Sequence, residues 1–376
     1  MSWAIWITGL PGSGKSVLAR AVVEALRARG ESAVVLELDA IRKILTPAPT
    51  YSDAERDIVY RALAYMARLL TESGVPIIVD ATGHRRAWRD LARALIPAFA
   101  EVQLTCPIEV CRQRERTRAA GNAPRGIYAA AGQPGATVPG VDVPYEPALD
   151  PEVTVDTLAE DVTAAVPRIV SMARDLARSS PPRLPSGLAR GWAVWITGLP
   201  GSGKTTLASA VAEQLAARGI PVRLLELTEV REFLLPDAGG GPRGEDIVYH
   251  ALVCAAKLLT DAGVAVIIDA TAPRRAWREL ARALIGHYAE VQLVCPPEIC
   301  GDRERASRWQ PAVCPHAGRR KTAVREAPDI VFGYEGSLNP ELTIHTGVRS
   351  LWSATADILR LAHRLHRTAM ISTPLT

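Results

Sequence analysis

The sequence predicts an α/β fold made twice over, each copy a parallel β-sheet covered by helices on both faces. Three observations predict it. Trp3-Ala-Ile-Trp-Ile-Thr8 returns as Trp192-Ala-Val-Trp-Ile-Thr197, and the same offset of 189 residues carries Arg42 to Arg231, Asp80 to Asp269, Cys106 and Cys111 to Cys295 and Cys300, and Tyr145 to Tyr334. Short apolar runs alternate with helix-period patterns, the signature of strands joined by crossover helices. A glycine-rich segment follows the first apolar run of each copy, where such a sheet binds its ligand. A period this long is domain duplication rather than a solenoid. The boundaries are residues 1–178 for the first domain, 179–190 for a linker rich in Ser, Pro and Gly, 191–368 for the second domain and 369–376 for a tail.

In the first copy, Trp3 to Thr8 reads as a strand. Leu18, Val22 and Leu26 then step by four along one helical face until Gly30 ends it. Ala33 to Leu38 follows as a strand, Asp53 to Leu70 as a helix, Pro76 to Asp80 as a strand, Ala87 to Leu95 as a helix, Val102 to Thr105 as a strand and Glu109 to Thr117 as a helix. Residues 119–147, rich in Gly, Pro and small side chains, break this rhythm and are long enough for a functional lid.

With 376 residues, 48% apolar and 22% charged, the chain has room for two cores, which excludes disorder and collagen. No apolar run approaches the roughly 20 residues of a membrane span, and Trp3 to Ile7 lacks the basic flank of a signal peptide, so a cytosolic protein is expected. Six cysteines are too few for a disulfide scaffold and are expected as thiols. A net charge of +4 does not by itself imply nucleic acid, and the expected partners are small anionic nucleotides. The repeat also suits an intramolecular pseudo-dimer or a homo-oligomer.

The strongest chemical signal is the phosphate cradle. Gly9-Leu-Pro-Gly12-Ser13-Gly14-Lys15-Ser16 and Gly198-Leu-Pro-Gly201-Ser202-Gly203-Lys204-Thr205 both satisfy G-x-x-x-x-G-K-[ST] between a strand and a helix. Both copies therefore read as P-loop NTPase domains that bind a nucleoside triphosphate, and the motif alone leaves kinase, GTPase and ATPase motor open. Lysine occurs only at positions 15, 43, 204, 257 and 321, so its presence in both motifs is not incidental. Lys15 and Lys204 would neutralise β/γ oxygens, and Ser16 and Thr205 would hold Mg²⁺. Asp80 and Asp269, each closing an apolar strand, would hold a Mg²⁺-bound water; a helix-capping aspartate is the competing reading.

Asp39 and Arg42 lie where an acceptor should approach the γ-phosphate, with Asp39 suited to orient a hydroxyl and Arg42 to grip an anion. Further along stand Tyr51-Ser-Asp-Ala-Glu-Arg56, Cys106-Pro-Ile-Glu-Val-Cys111-Arg-Gln-Arg114, Arg125-Gly-Ile-Tyr128, Pro139-Gly-Val-Asp142-Val-Pro-Tyr145 and Pro151-Glu-Val-Thr-Val-Asp-Thr157. Through these segments nearly the whole first copy resembles the adenylylsulfate (APS) kinases, which phosphorylate the 3′-hydroxyl of adenosine 5′-phosphosulfate with MgATP. The resemblance implies that Asp39 activates the acceptor, that Arg42 and Arg56 hold its phosphosulfate, that Tyr51 packs near its adenine, and that Tyr128 joins the acceptor side from the lid. It also puts Arg114 at the developing charge. The sequence departs from the family pattern at Glu37-Leu38, Val59, Val138-Pro139 and Ala129 to Ala131, and Asp80 looks more like polynucleotide-kinase-type enzymes.

The second copy keeps the cradle and loses the acceptor equipment. Thr228 replaces Asp39, Gly240 replaces Tyr51, Glu245 replaces Arg56, and Cys314-Pro-His316-Ala317 replaces Arg125 to Tyr128. A threonine cannot serve as a carboxylate base, although Glu229 is adjacent. Three functions therefore stay open: an APS kinase-like first copy with a nucleotide-binding second copy, inactive or regulatory; a kinase for another phosphorylated hydroxyl compound or a polynucleotide 5′ end; and a nucleotide-responsive regulatory protein without transfer. Arg86 and Arg89 read either as acceptor-phosphate contacts or as helix-surface charge. The paired cysteines read as buried thiols rather than zinc ligands, and Trp3, Trp6, Trp192 and Trp195 as core.

Overall fold

The computed structural model describes residues 1–117, 121–179, 190–236, 241–309 and 333–371. It contains two five-stranded sheets of identical topology. In the first, β1 (Ala4–Thr8), β2 (Val34–Glu37), β3 (Ile77–Asp80), β4 (Phe99–Thr105) and β5 (Val153–Asp156) lie in the order β2-β3-β1-β4-β5. All pairings are parallel. In the second, β6 (Ala193–Gly198), β7 (Val222–Glu226), β8 (Ala265–Asp269), β9 (Tyr288–Val294) and β10 (Leu342–His345) follow the order β7-β8-β6-β9-β10, again parallel.

The apolar run of β1 is buried at every residue, as a central parallel strand covered on both faces must be. Helix α1 (Lys15–Arg27) lays Leu18, Val22 and Leu26 on Ile5 and Ile7, and α6 (Val166–Arg178) adds Ile169, Val170 and Ala173. In the second sheet, α7 (Lys204–Ala217) and α12 (Leu351–Ile371) do the same with Leu207, Val211, Leu215, Ile358 and Ala362. Trp3, Trp6, Trp192 and Trp195 are core: Trp6 and Trp195 are fully buried, and their indole N–H groups donate to the carbonyls of Ala81 and Ala270.

The expected elements of the first copy form, with ends shifted by one to three residues. Three further elements appear. Helix α2 (Leu38–Leu45) starts on the residue after β2, so the strand ends at Glu37 and Leu38 is helical. Its apolar positions Leu38, Ile41 and Leu45 span only two turns, too short a run for a clear helical period. Edge strand β5 is four residues long with Val155 its one fully buried side chain, and α6 follows it after a short 3₁₀ turn. The remaining first-copy helices are α3 (Asp53–Glu72), α4 (Arg86–Leu95) and α5 (Ile108–Thr117). Their second-copy counterparts are α8 (Leu227–Leu234), α9 (Gly241–Asp261), α10 (Arg275–Leu284) and α11 (Pro297–Trp309), with α8 matching α2.

The chain divides into two compact units, Met1–Pro185 together with Glu232–Ala255, and Ser186–Arg231 together with Ala256–Thr376. The end of α8 and most of α9 thus belong to the first unit. Among the described residues no helix is long and apolar enough to cross a membrane.

Candidate active site

The cradle forms at the carboxyl end of β1. Gly14 adopts a left-handed conformation immediately before α1, which turns the loop so that the helix N-terminus faces any anion held there. At Gly12, φ is +83°, and a Cβ would lie 2.5 Å from the Cys111 carbonyl oxygen on α5. Gly12→Ala is therefore expected to lower stability by about 1–3 kcal/mol through backbone strain and to abolish nucleotide binding by the first copy, measured by thermal melting and ATP titration. Lys15 Nζ donates to the carbonyls of Gly9 and Leu10, both at 3.1 Å, and so caps the loop where β/γ oxygens would lie. The Ser13 hydroxyl is buried without a hydrogen-bond partner. The second cradle matches: Lys204 donates to Gly198 and Leu199 at 3.1 and 3.0 Å, and the Ser202 hydroxyl is likewise buried and unpartnered.

Asp80 closes β3 beside Ile7 of β1 and Glu37 of β2. Burial raises its pKa; Lys15 and a hydrogen bond with the Ser16 side chain oppose that rise, while Glu37 and Asp39 add to it. In the second copy, Thr205 Oγ1 donates to Asp269 Oδ2 at 2.6 Å, and burial again raises the carboxyl pKa. A hydroxyl joined to a strand-end carboxylate beside the phosphate lysine offers hard oxygen donors, and these residues fit Mg²⁺. Both aspartates are thus tied to the cradle rather than serving as helix caps.

The acceptor side is built from α2 and α3. Asp39 lies in the first turn of α2, half-buried, with Arg42 one turn later. Arg42 and Arg56 are 8% and 7% exposed, and the Nη1 of each is buried without a hydrogen-bond partner. Both guanidiniums sit over the Tyr51 ring, 5.3 and 6.0 Å from its centroid. Arg56 Nη2 donates to the Thr137 carbonyl and hydroxyl at 2.7 and 2.6 Å, while burial lowers the Arg56 pKa. Tyr51 adopts φ +54°, a left-handed conformation rare for an aromatic residue and a form of strain that concentrates at ligand sites.

The lid is tied to both sides. Tyr128 donates from its hydroxyl to the Pro11 carbonyl at 2.8 Å, so this residue contacts the phosphate loop. Asn122 accepts from Lys43 at 2.7 Å and donates to Glu37 at 2.8 Å. Buried Glu115 accepts from the Gly126 amide at 2.8 Å, and Asp142 accepts from the amides of Gly132 and Val138. Arg114 donates to the Thr157 carbonyl and hydroxyl at 2.9 and 3.1 Å, which holds it at the end of β5.

Neither expectation for Arg89 survives. It is fully buried, donating to Glu101 at 2.5 Å, to the Gly83 carbonyl and to the Glu146 carbonyl at 2.7 Å. Arg278 repeats this with Glu290 and the carbonyls of Ala272 and Glu335. The last arginine of the duplicated Arg-Arg-Ala-Trp-Arg motif is therefore a buried structural tie, because a buried guanidinium requires a carboxylate and carbonyls around it. Arg86 lies half-buried, donating to the Pro147 carbonyl at 3.3 Å. Cys106, Cys111, Cys295 and Cys300 are free thiols, and no group of three or more metal-capable side chains occurs among the described residues.

Sequence reasoning passed over His84. It is 3% exposed, edge-on to Trp88 at 4.9 Å, and Trp88 stacks on Tyr60 at 4.1 Å. Burial, then Arg56 and Arg85, pushes the His84 pKa down from 6.5 to about 4. Between those values the unfolded chain binds the proton and the folded chain does not, so stability falls as pH drops through this window. The loss reaches up to about 3 kcal/mol. His84→Gln is expected to flatten the pH dependence of Tm between about pH 4 and 6.5, as read by thermal melts across that range. The only signal in the sequence was its place four residues after the strand-end Asp80.

In the second copy, Thr228 lies in the first turn of α8, as Asp39 does in α2, so the residue change alone removes the carboxylate. Arg303 repeats the Arg114 contact, donating to the Thr346 carbonyl at 2.9 Å. Gly240, Arg118, Cys314, His316 and Ala317 lie outside the described residues, as do most of the expected linker and the last residues of the tail.

A probable adenylyl-sulfate kinase of Archaeoglobus fulgidus is 39% identical over 164 residues, 43% of this chain and 99% of that protein. The adenylyl-sulfate kinase of Rippkaea orientalis is 37% identical over 165 residues, 42% of this chain and 86% of that protein. Among solved structures, Mycobacterium tuberculosis APS kinase CysC, in complex with AMPPNP and APS, is 29% identical with a TM-score of 0.40, covering 46% of this chain and 98% of its own. The profile of the adenylylsulphate kinase family matches twice, over residues 1–156 and again over 190–345. The chain belongs to the adenylylsulphate kinase family, and carries that family's domain in two copies.

Proposed function

We propose that the first copy transfers the γ-phosphoryl group of ATP to the 3′-hydroxyl of adenosine 5′-phosphosulfate, giving ADP and 3′-phosphoadenosine 5′-phosphosulfate. The observation that carries this reading is the pair of buried guanidiniums, Arg42 and Arg56, each with an Nη1 that makes no hydrogen bond, over one tyrosine ring. Buried donors without acceptors are costly, and two cations facing an aromatic ring suit an anionic ligand that carries a flat base. Family membership of the domain supports the same acceptor.

Catalysis on this reading is positioning and charge neutralisation. Asp39 orients the acceptor hydroxyl and takes its proton as the new O–P bond forms and the bond from the γ-phosphorus to the β–γ bridging oxygen breaks. Lys15 and the amides of the cradle receive the developing charge, with Arg114 at the mouth of the site. Mg²⁺, when bound by Ser16 and Asp80, supplies further neutralisation of the β and γ oxygens. The second copy binds nucleotide without transferring to this acceptor, since Thr228 offers no base.

Asp80 favours one rival acceptor class, another phosphorylated alcohol or a polynucleotide 5′ end. An acceptor panel with γ-labelled ATP separates them. Label is expected on adenosine 5′-phosphosulfate; label on DNA 5′ ends with none on that nucleotide would contradict the reading.

A further inference from the structure

We propose that Arg243 is a positioning residue of the acceptor pocket: by engaging Glu55 it keeps Arg42 available for the acceptor's anion. The inference rests on the acceptor reading above. Arg243 lies in the first turn of α9, within the first compact unit. Its Nε and Nη2 donate to Glu55 Oε2 at 3.1 and 2.6 Å, and Nη2 also donates to the Ala48 carbonyl at 2.6 Å. About two turns further on, His250 Nδ1 lies 3.2 Å from the Leu45 carbonyl, at the end of the helix that carries Arg42.

Glu55 has several claims on it. Its side chain is 2% exposed, and it accepts from the amides of Thr50 and Tyr51 and from the Thr50 hydroxyl. It thereby holds the turn in which Tyr51 takes its left-handed conformation. A buried carboxylate also requires a cation. Arg243 meets that requirement at 2.6 Å, whereas Arg42 Nη1 stands 3.9 Å from Oε1, a longer ion pair without a hydrogen bond. Without Arg243, the remaining cation paired with Glu55 among the described residues is Arg42. A small side-chain swing then closes an Arg42–Glu55 pair, which satisfies the carboxylate and withdraws Arg42 from the ligand.

The device is not reciprocal. At the 189-residue offset Arg243 corresponds to Ala54, and Glu55 to Gly244, so the duplicated sequence contains this arginine–glutamate pair once. A segment from the second copy of the sequence thus equips the acceptor pocket of the first, which gives the second copy a use that does not depend on its own catalysis.

The test uses the full-length chain with adenosine 5′-phosphosulfate as probe, in steady-state kinetics and in calorimetric binding. Arg243→Ala is expected to raise the KM and Kd for this acceptor ~10-fold, the loss typical of one hydrogen bond to a charged group, with the KM for ATP and the kcat at saturating acceptor unchanged. Arg243→Lys should recover most of the affinity. In a Glu55→Gln background, where no carboxylate competes for Arg42, Arg243→Ala should add little. Equal acceptor affinity in wild type and Arg243→Ala overturns the inference alone, and so does a parallel loss of ATP affinity and kcat, the mark of a merely structural role. A wild-type chain that binds no adenosine 5′-phosphosulfate overturns the acceptor reading and this inference with it.

Discussion

Asp39→Asn is expected to lower the turnover of adenosine 5′-phosphosulfate by about a thousandfold while leaving ATP affinity near that of the parent chain, within the range attributed to a lost general base. The amide is nearly isosteric and still reaches the acceptor hydroxyl, so what disappears is the capacity to take a proton and to favour the in-line geometry. Asp39 sits in the first turn of α2, on the acceptor side, while the cradle is carried by β1 and α1. The two substrates therefore respond separately. Initial rates with both substrates varied, together with an ATP titration, check the result; retained turnover would remove Asp39 from the chemistry.

The same separation explains what could be read from the sequence. The sheet and the cradle were legible because their signals are local: an apolar run, a glycine motif of fixed spacing, a helix with apolar steps of four, and all of it written twice. The acceptor side was legible only as residue types. Arg42, Arg56 and Tyr51 were named, but that both guanidiniums are buried over one ring, each with a nitrogen that makes no hydrogen bond, depends on tertiary packing of α2 against α3. Arg89 illustrates the limit in the other direction. An arginine on a helix reads as surface or ligand charge, and it takes the packing of α4 on β4, with Glu101 and the Gly83 and Glu146 carbonyls around the guanidinium, to identify it as a core residue. Arg243 was silent for the same reason, since its partner Glu55 is 188 residues away in the sequence. Helix α2 and strand β5 escaped because two turns or four residues do not establish a period.

The two copies also show which parts of the site diverge independently. Lysine, cradle glycines, the strand-end aspartate and the arginine of the helix after β4 recur: Lys15 and Lys204 cap their loops alike, and Arg114 and Arg303 reach equivalent carbonyls. Asp39, Tyr51 and Arg56 do not recur, since Thr228, Gly240 and Glu245 replace them, while Arg42 recurs as Arg231. The cradle lies on β1 and α1 and these residues on α2, α3 and the segment between them, so one set can change while the fold and the other remain.

The central claim is that transfer occurs at the first cradle, and Lys15→Ala in the full-length chain tests it most directly. Lys15 supplies the mobile positive charge over the loop, and losing it should cost about a thousandfold, comparable to removing a principal donor to a developing oxyanion. The second cradle, with Lys204 in place, stays intact in that variant. The measurement is the initial rate of 3′-phosphoadenosine 5′-phosphosulfate formation from ATP and adenosine 5′-phosphosulfate. The account predicts a rate near background; a rate close to that of the parent chain would place the chemistry in the second copy and contradict it.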